Sequence, residues 1–382
     1  MSERCSQGPA NEADHACGFW QSLAYHIYLM KEGVEENANS GAMRRKEAPA
    51  EWDTNTSNSS EQQQPPAIPQ QDSRLARLAE LEAAQEKTKQ EELMSLDANC
   101  WQGMAEQGLF QKAEDLITAA AELEERTSGG TERYAMLMHS LGALYDFRSN
   151  VDVLGQQQSL SLQSSKYAHR AVQTLRGVMS RLNDKESTAW VRVSDFLAKS
   201  LLMRGKSLCN TALDGNCQTL RSEDAFDDAE RDVMEAGNIR AEMQHSQYAE
   251  AKMALGYVFY CRGCRELNNL DGKDCEVATV KSKFVEESLG KALEHYKESL
   301  ELYVERVGQE HTDPIRMRCN IALVYNVMSG IPCESRLDYL TEAEAQYRQV
   351  LRIQEKVFGK RHQRTQRIQV DLNHIVERKA QL

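Results

Sequence analysis

Near the C-terminal end of the chain one pattern occurs twice. Ala292, Tyr296, Leu300, Gly308 and His311 recur 51 residues later as Ala343, Tyr347, Leu351, Gly359 and His362. Self-similarity at a fixed period marks a repeat protein, whose units each bury an apolar face only by stacking on a neighbour. For 382 residues this removes the usual inference of two or three separate globular domains.

The pattern extends backwards as a column of alanines: Ala113, Ala168, Ala229, Ala292 and Ala343, at spacings of 55, 61, 63 and 51. Three residues before each stand Phe110, Ser165, Phe226, Leu289 and Leu340, with Ser165 the one weak member. Four after stand Ile117, Val172, Val233, Tyr296 and Tyr347, and seven after stand Ala120, Leu175, Ala236, Ser299 and Val350. Positions three, four and seven apart share one helix face, so the column is a packing stripe with a small residue at its centre. A second series precedes it: Leu141-Gly142-Ala-Leu-Tyr145, Leu255-Gly256-Tyr-Val-Phe259, Ile321-Ala322-Leu-Val-Tyr325 and, more loosely, Phe196-Leu197-Ala198. Each small residue there is expected where two helices cross.

These residues resemble tetratricopeptide (TPR) repeats, pairs of helices with small residues at the crossing and aromatics at the ends. Gly108-Leu-Phe110-Gln-Lys-Ala113 matches that family's turn and second helix, whereas Trp101 stands where its first helix has a small residue. The C-terminal copies, with Gly-x-x-His after the second helix, are similar to the longer repeats of kinesin light chains. The resemblance covers roughly residues 93 to 380. It implies an all-α, right-handed TPR-like solenoid over 73–382, of about five helical hairpins plus a C-terminal capping helix near 364–379. The spacings exceed the usual TPR period of about 34. The excess falls between the two helices of a hairpin, near 149–162, 206–223, 265–283 and 330–339, and is expected as loops along one edge.

Residues 1–72 read as a disordered N-terminal arm, in which 17–30 is either a short amphipathic helix or a stretch of chance apolar content. Runs such as Asn55-Thr-Ser-Asn-Ser-Ser60 and Gln62-Gln-Gln-Pro-Pro66 carry few aliphatics, and five of the seven prolines fall before residue 70. The first helix starts after Asp72-Ser73, and its dense charge suits a solvated face or a coiled coil. A formal charge of −12 argues against nucleic acid or an anionic membrane as partner. No stretch is apolar and long enough to cross a bilayer. Ten cysteines without a framework spacing suggest reduced thiols and a cytoplasmic setting.

No catalytic constellation is legible. Cys261-Arg-Gly-Cys264 is the one Cys-x-x-Cys; it lacks a second ligand pair for zinc and ends a helix rather than following a strand, so packing thiols are expected. Neither a cofactor nor a metal is expected. His311 and His362 repeat together and so belong to the turn. The last repeat is locally basic, and with Arg316 and Arg318 it suggests a positive surface for an acidic peptide, or else a solvated helix face.

Asn320-Ile-Ala322-Leu-Val-Tyr325 resembles the first-helix pattern in which an asparagine amide, both donor and acceptor, holds a peptide backbone. The peptide-binding set the resemblance implies is Arg316, Asn320, Asn326, Arg364, Arg367 and Asp371. A carboxylate clamp of the co-chaperone type is not expected, because its basic positions hold Met253, Tyr257, Val370 and His374. In the arm, Glu51, Trp52 and Asp53 resemble the tryptophan-plus-acid peptides that such repeats bind, which raises intramolecular binding of the arm. The function implied is a non-catalytic protein–protein interaction scaffold or adaptor, receiving a peptide segment of another protein in its groove. The alternative is a fixed structural subunit of a cytoskeletal or other large assembly; an enzyme on a helical-repeat body comes third.

Overall fold

The computed structural model describes residues 83–85, 87–88, 90–94, 101–151, 156–182, 184–185, 187–213, 222–243, 247–269, 275–331 and 333–382. The arm, the 17–30 helix and Glu51-Trp52-Asp53 lie outside the described residues. Every regular element among the described residues is helical: α1 (Trp101–Glu106), α2 (Phe110–Thr127), α3 (Glu132–Val151), α4 (Gln157–Met179), α5 (Thr188–Leu213), α6 (Ser222–Glu242), α7 (Tyr248–Asn268), α8 (Cys275–Val307), α9 (Thr312–Met328), α10 (Arg336–Phe358) and α11 (Gln363–Ala380). A helical stretch within 83–94 precedes them, tied down where Arg133 donates to the Leu93 carbonyl at 2.8 Å.

Each helix packs against the next, so α1·α2, α3·α4, α5·α6, α7·α8 and α9·α10 are hairpins and α11 packs on α10. First helices also touch the next first helix, α1 to α3, α3 to α5, α5 to α7 and α7 to α9. This order of contacts is that of a TPR-like helical-repeat solenoid.

The alanine column explains why the hairpins close. Ala113, Ala168, Ala229, Ala292 and Ala343 are all 0% exposed. Every residue four and seven positions on is buried as well. Among the residues three before, Ser165 and Phe110 are half-buried while Phe226, Leu289 and Leu340 are buried. A fully buried leucine such as Leu289 contributes about 2 kcal/mol relative to exposure. On the facing helices the small residues make the close approach. A Cβ on Gly256 would stand 2.7 Å from the Tyr296 ring, and one on Gly142 would meet Met203 at 2.6 Å. Gly205 faces Ala229 and Val233 in the third hairpin in the same way.

Trp101, large where the resemblance predicted a small residue, packs edge-on against Phe147 with centroids 6.3 Å apart. Because α1 has only six residues and lies at the edge of the described stack, it needs no small residue for a long crossing.

The extra residues of the long repeats are mostly helix rather than loop. Helix α5 runs 26 residues to Leu213 and α8 runs 33 from Cys275. Leu208, Cys209 and Ala212 continue the buried stripe of α5 past the expected break, and Leu160 and Ser161 do so at the start of α4. A stretch that keeps burying one face stays helical, and between α9 and α10 the described residues 329–331 and 333–335 are turn and bend.

At the repeated turn, Gly308 and Gly359 take φ of +81° and +86°, where a side chain would be strained. His311 and His362 then cap the following helix: each is extended, and each Nδ1 accepts the amide two residues on, at 3.3 Å from Asp313 and 3.2 Å from Arg364. The residues that repeat in sequence thus form one helix-stop, helix-start device.

Candidate functional site

Helix α9 has two buried flanks. Met317, Val324 and Met328 enter the core shared with α7 and α8, while Ile315, Cys319 and Ala322 enter the core shared with α10 and α11. At about 100° per residue, Asp313, Arg316, Asn320 and Val327 fall on the strip between them. Asn320 is half-buried, and its amide makes no hydrogen bond among the described residues.

The first helices run side by side, and their facing polar groups are largely committed to one another. Between α3 and α5, Arg192 pairs with Glu132 (Nη2–Oε2 2.7 Å), Lys206 Nζ donates to Asp146 at 2.8 Å, and His139 Nδ1 lies 3.0 Å from Ser200 Oγ. Burial pushes the His139 pKa down to about 4, with Lys199 acting in the same direction. Between α5 and α7, the Tyr257 hydroxyl donates to Asn210 Oδ1 at 2.6 Å. Between α9 and α11, Arg378 donates to the Asn326 side chain.

That last pair decides the standing of Asn326: its amide oxygen already serves Arg378. Arg316 holds Asp313 at 2.9 Å and is only 17% exposed, so its charge faces inward along its own helix. Arg364 is buried, with its guanidinium 5.7 Å above the Phe358 ring. Asp371 is half-buried beside Cys319 and Tyr347; burial first, and then the Asp371 charge, raises the pKa of both. Arg367 is half-buried and makes no hydrogen bond or ion pair among the described residues.

The hydrogen bond of Arg378 to Asn326 spans an offset of 52, which sets Arg367 level with Ile315. That is about 7–8 Å along the axis from Asn320, at 1.5 Å per residue. Val370 and His374, one and two turns on in α11, are exposed. Of the six sequence candidates, the structure therefore leaves Asn320 and Arg367 uncommitted and engages Arg316, Asn326 and Arg364 in the fold.

Arg316 and Arg318, read together from sequence as one positive surface, point apart. Two residues along a helix is a turn of about 200°. Arg318 faces α10, where its Nη1 lies 3.5 Å from Gln346 Oε1.

The Cys-x-x-Cys is part of the core: Cys261 and Cys264 are buried on α7, in the same apolar cluster as Cys209 of α5. Burial raises both thiol pKa values. Among the described residues no group of three His, Cys, Asp or Glu side chains is placed to hold a metal, and no helix is long and apolar enough to cross a membrane.

No protein-family model matches the chain, and no curated protein matches it. Among solved structures it is similar to the nearly identical TPR-like repeats of a Podosopora anserina kinesin light chain, at 13% identity over 66% of this chain and 91% of that one, with a TM-score of 0.40. So loose a likeness carries nothing about function, and the repeat architecture stands on the helices described above.

Proposed function

We propose that the protein is a non-catalytic interaction scaffold whose first helices line a groove for a peptide segment of a partner, with its main contacts on α9 and α11. The observation that supports this most is the uncommitted Asn320 amide, which lies on the strip of α9 between two buried flanks. A primary amide offers a donor and an acceptor to an extended backbone, and Arg367 adds a cation nearby for an acidic side chain. The buried, unpaired thiols Cys209, Cys261 and Cys264 fit a reducing, cytoplasmic setting.

The test is peptide selection on the full chain, followed by affinity measurement by anisotropy. Losing one amide that holds a backbone weakens binding roughly 5–10-fold. Asn320→Ala and Arg367→Glu should each show that loss, while Lys199→Ala, on α5, should bind as the wild type does. Equal affinities for all four proteins would remove the groove from this position.

A further inference from the structure

On the flank of α9 away from Asn320, one arginine is left without a counter-charge. Arg318 is half-buried between α9 and α10, and its Nε is enclosed without an acceptor among the described residues. Its one hydrogen bond is the long contact with the Gln346 amide, and no carboxylate pairs with it. Burial alone pulls its pKa below the usual value for a guanidinium. Arg316 and Arg240 also have a buried Nε, but each has a carboxylate, Asp313 and Glu250 respectively. A partly desolvated cation with neither an acceptor for its edge nor a counter-ion is costly, and such a group in a folded protein calls for an explanation.

The surroundings suggest one. Helices α8 and α10, each packed on α9, make at most slight contact with one another, so α9 floors a furrow between them. Tyr325 lies on the same flank of α9 two turns beyond Arg318, and Lys297 of α8 reaches it, with Nζ 3.1 Å from the hydroxyl and 5.6 Å from the ring centroid. Tyr339 of α10 stacks on Tyr325 at 6.4 Å, and its hydroxyl donates to Glu286 at 2.9 Å, which engages that carboxylate away from Arg318. The furrow therefore has Arg318 on its floor, the Gln346 amide on one wall and, two turns along, Lys297 on the other.

We propose that this furrow is an oxyanion site, in which the Nη face of Arg318 takes a carboxylate or phosphate group and Lys297, two turns along α9, adds a second positive charge to the furrow. It is separate from the peptide groove, because it opens on the opposite flank of α9.

The experiment is thermal unfolding of the full chain in chloride, in inorganic phosphate and with a tri-glutamate peptide, at matched ionic strength. Wild type should melt about 2 °C higher at an anion concentration roughly ten times Kd. Arg318→Met should melt in chloride at least as high as wild type, since an uncompensated charge is gone, and should lose the anion response. Arg318→Lys should keep part of it. A rise with peptide and not phosphate assigns a carboxylate; a rise with both assigns an oxyanion of either kind. A lower melting point for Arg318→Met in chloride would mean that the arginine is satisfied within the fold, and would overturn the proposal. So would equal anion responses in wild type and variant, or no response in wild type.

Discussion

Substituting Gly256 by alanine tests the close crossing of α7 and α8. In an open helix that change stabilises by about 1 kcal/mol, because alanine loses less backbone entropy than glycine. At Gly256 the new Cβ would stand 2.7, 2.8 and 3.0 Å from three atoms of the Tyr296 ring. Ordinary contact begins near 3.4 Å, so the ring or the helix must move by several tenths of an ångström. Tyr296 is 2% exposed and sits in the alanine stripe, so the shift propagates into Ala292 and Leu293 beside it. Overpacking of this kind costs about 1–3 kcal/mol. The net expectation for Gly256→Ala is a loss of up to about 2 kcal/mol. Gly290, on α8, has no atom within 4 Å of its would-be Cβ, so Gly290→Ala should stabilise by about 0.5–1 kcal/mol. Urea unfolding followed by far-UV circular dichroism measures both. If the two substitutions shift stability in the same direction, the crossing is not as tight as described, and the small-residue argument for these hairpins fails.

Two further perturbations probe the turn and the wall of the groove. His362→Ala removes the acceptor for the Arg364 amide and a ring stacked on Phe358 at 4.8 Å; it should cost about 1 kcal/mol and speed amide exchange at 363–366 several-fold, read by hydrogen-exchange mass spectrometry. His139 is held neutral by burial, with Ser200, the edge of Phe196, Lys199 and Asp195 around it, and its pKa of about 4 lies below the ordinary 6.5. The unfolded chain therefore takes up the proton first, so the contribution of His139 is present above pH 6.5 and lost as pH falls towards 4. The difference in unfolding free energy between wild type and His139→Gln should shrink by on the order of 2 kcal/mol over that range. A difference independent of pH would contradict a half-buried imidazole held neutral between α3 and α5.

The fold was legible in the sequence because the feature that builds it, a small residue flanked by apolar ones three, four and seven positions away, is local and periodic. Even the weak member was visible: Ser165 breaks the column and is half-buried in the structure. The long insertions were read as loops because no motif ran through them. What keeps them helical is burial against a neighbour, as at Leu208 and Cys209, and that depends on tertiary contacts. The candidate site was half legible. The side chains of Asn320 and Arg367 are half-buried and make no hydrogen bond among the described residues. Asn326 and Arg364 share their residue types, and only the packing of α11 shows that one is held by Arg378 and the other covers Phe358.

The pairing of first helices also bears on why a binding site would collect at one end of the stack. A polar group on the inner wall of a solenoid has two outlets, a neighbour on the next helix or an incoming chain. From α3 to α7 the neighbours take it: three pairs join α3 to α5, and Tyr257 with Asn210 joins α5 to α7. A peptide docking there would have to break those contacts, each replaced at little net gain, since an exchanged hydrogen bond returns only about 1 kcal/mol. At Asn320 there is nothing to break. The Ile-Ala-Leu-Val run that follows it supplies the close packing of α9 on both flanks, and on the strip between them Asp313 and Arg316 hold each other, which leaves the amide uncommitted. A rigid helix carrying one uncommitted amide can hold a backbone at small entropic cost. On this reasoning, affinity for a peptide should depend on residues of α9 and α11 far more than on the equally polar wall of α3 and α5.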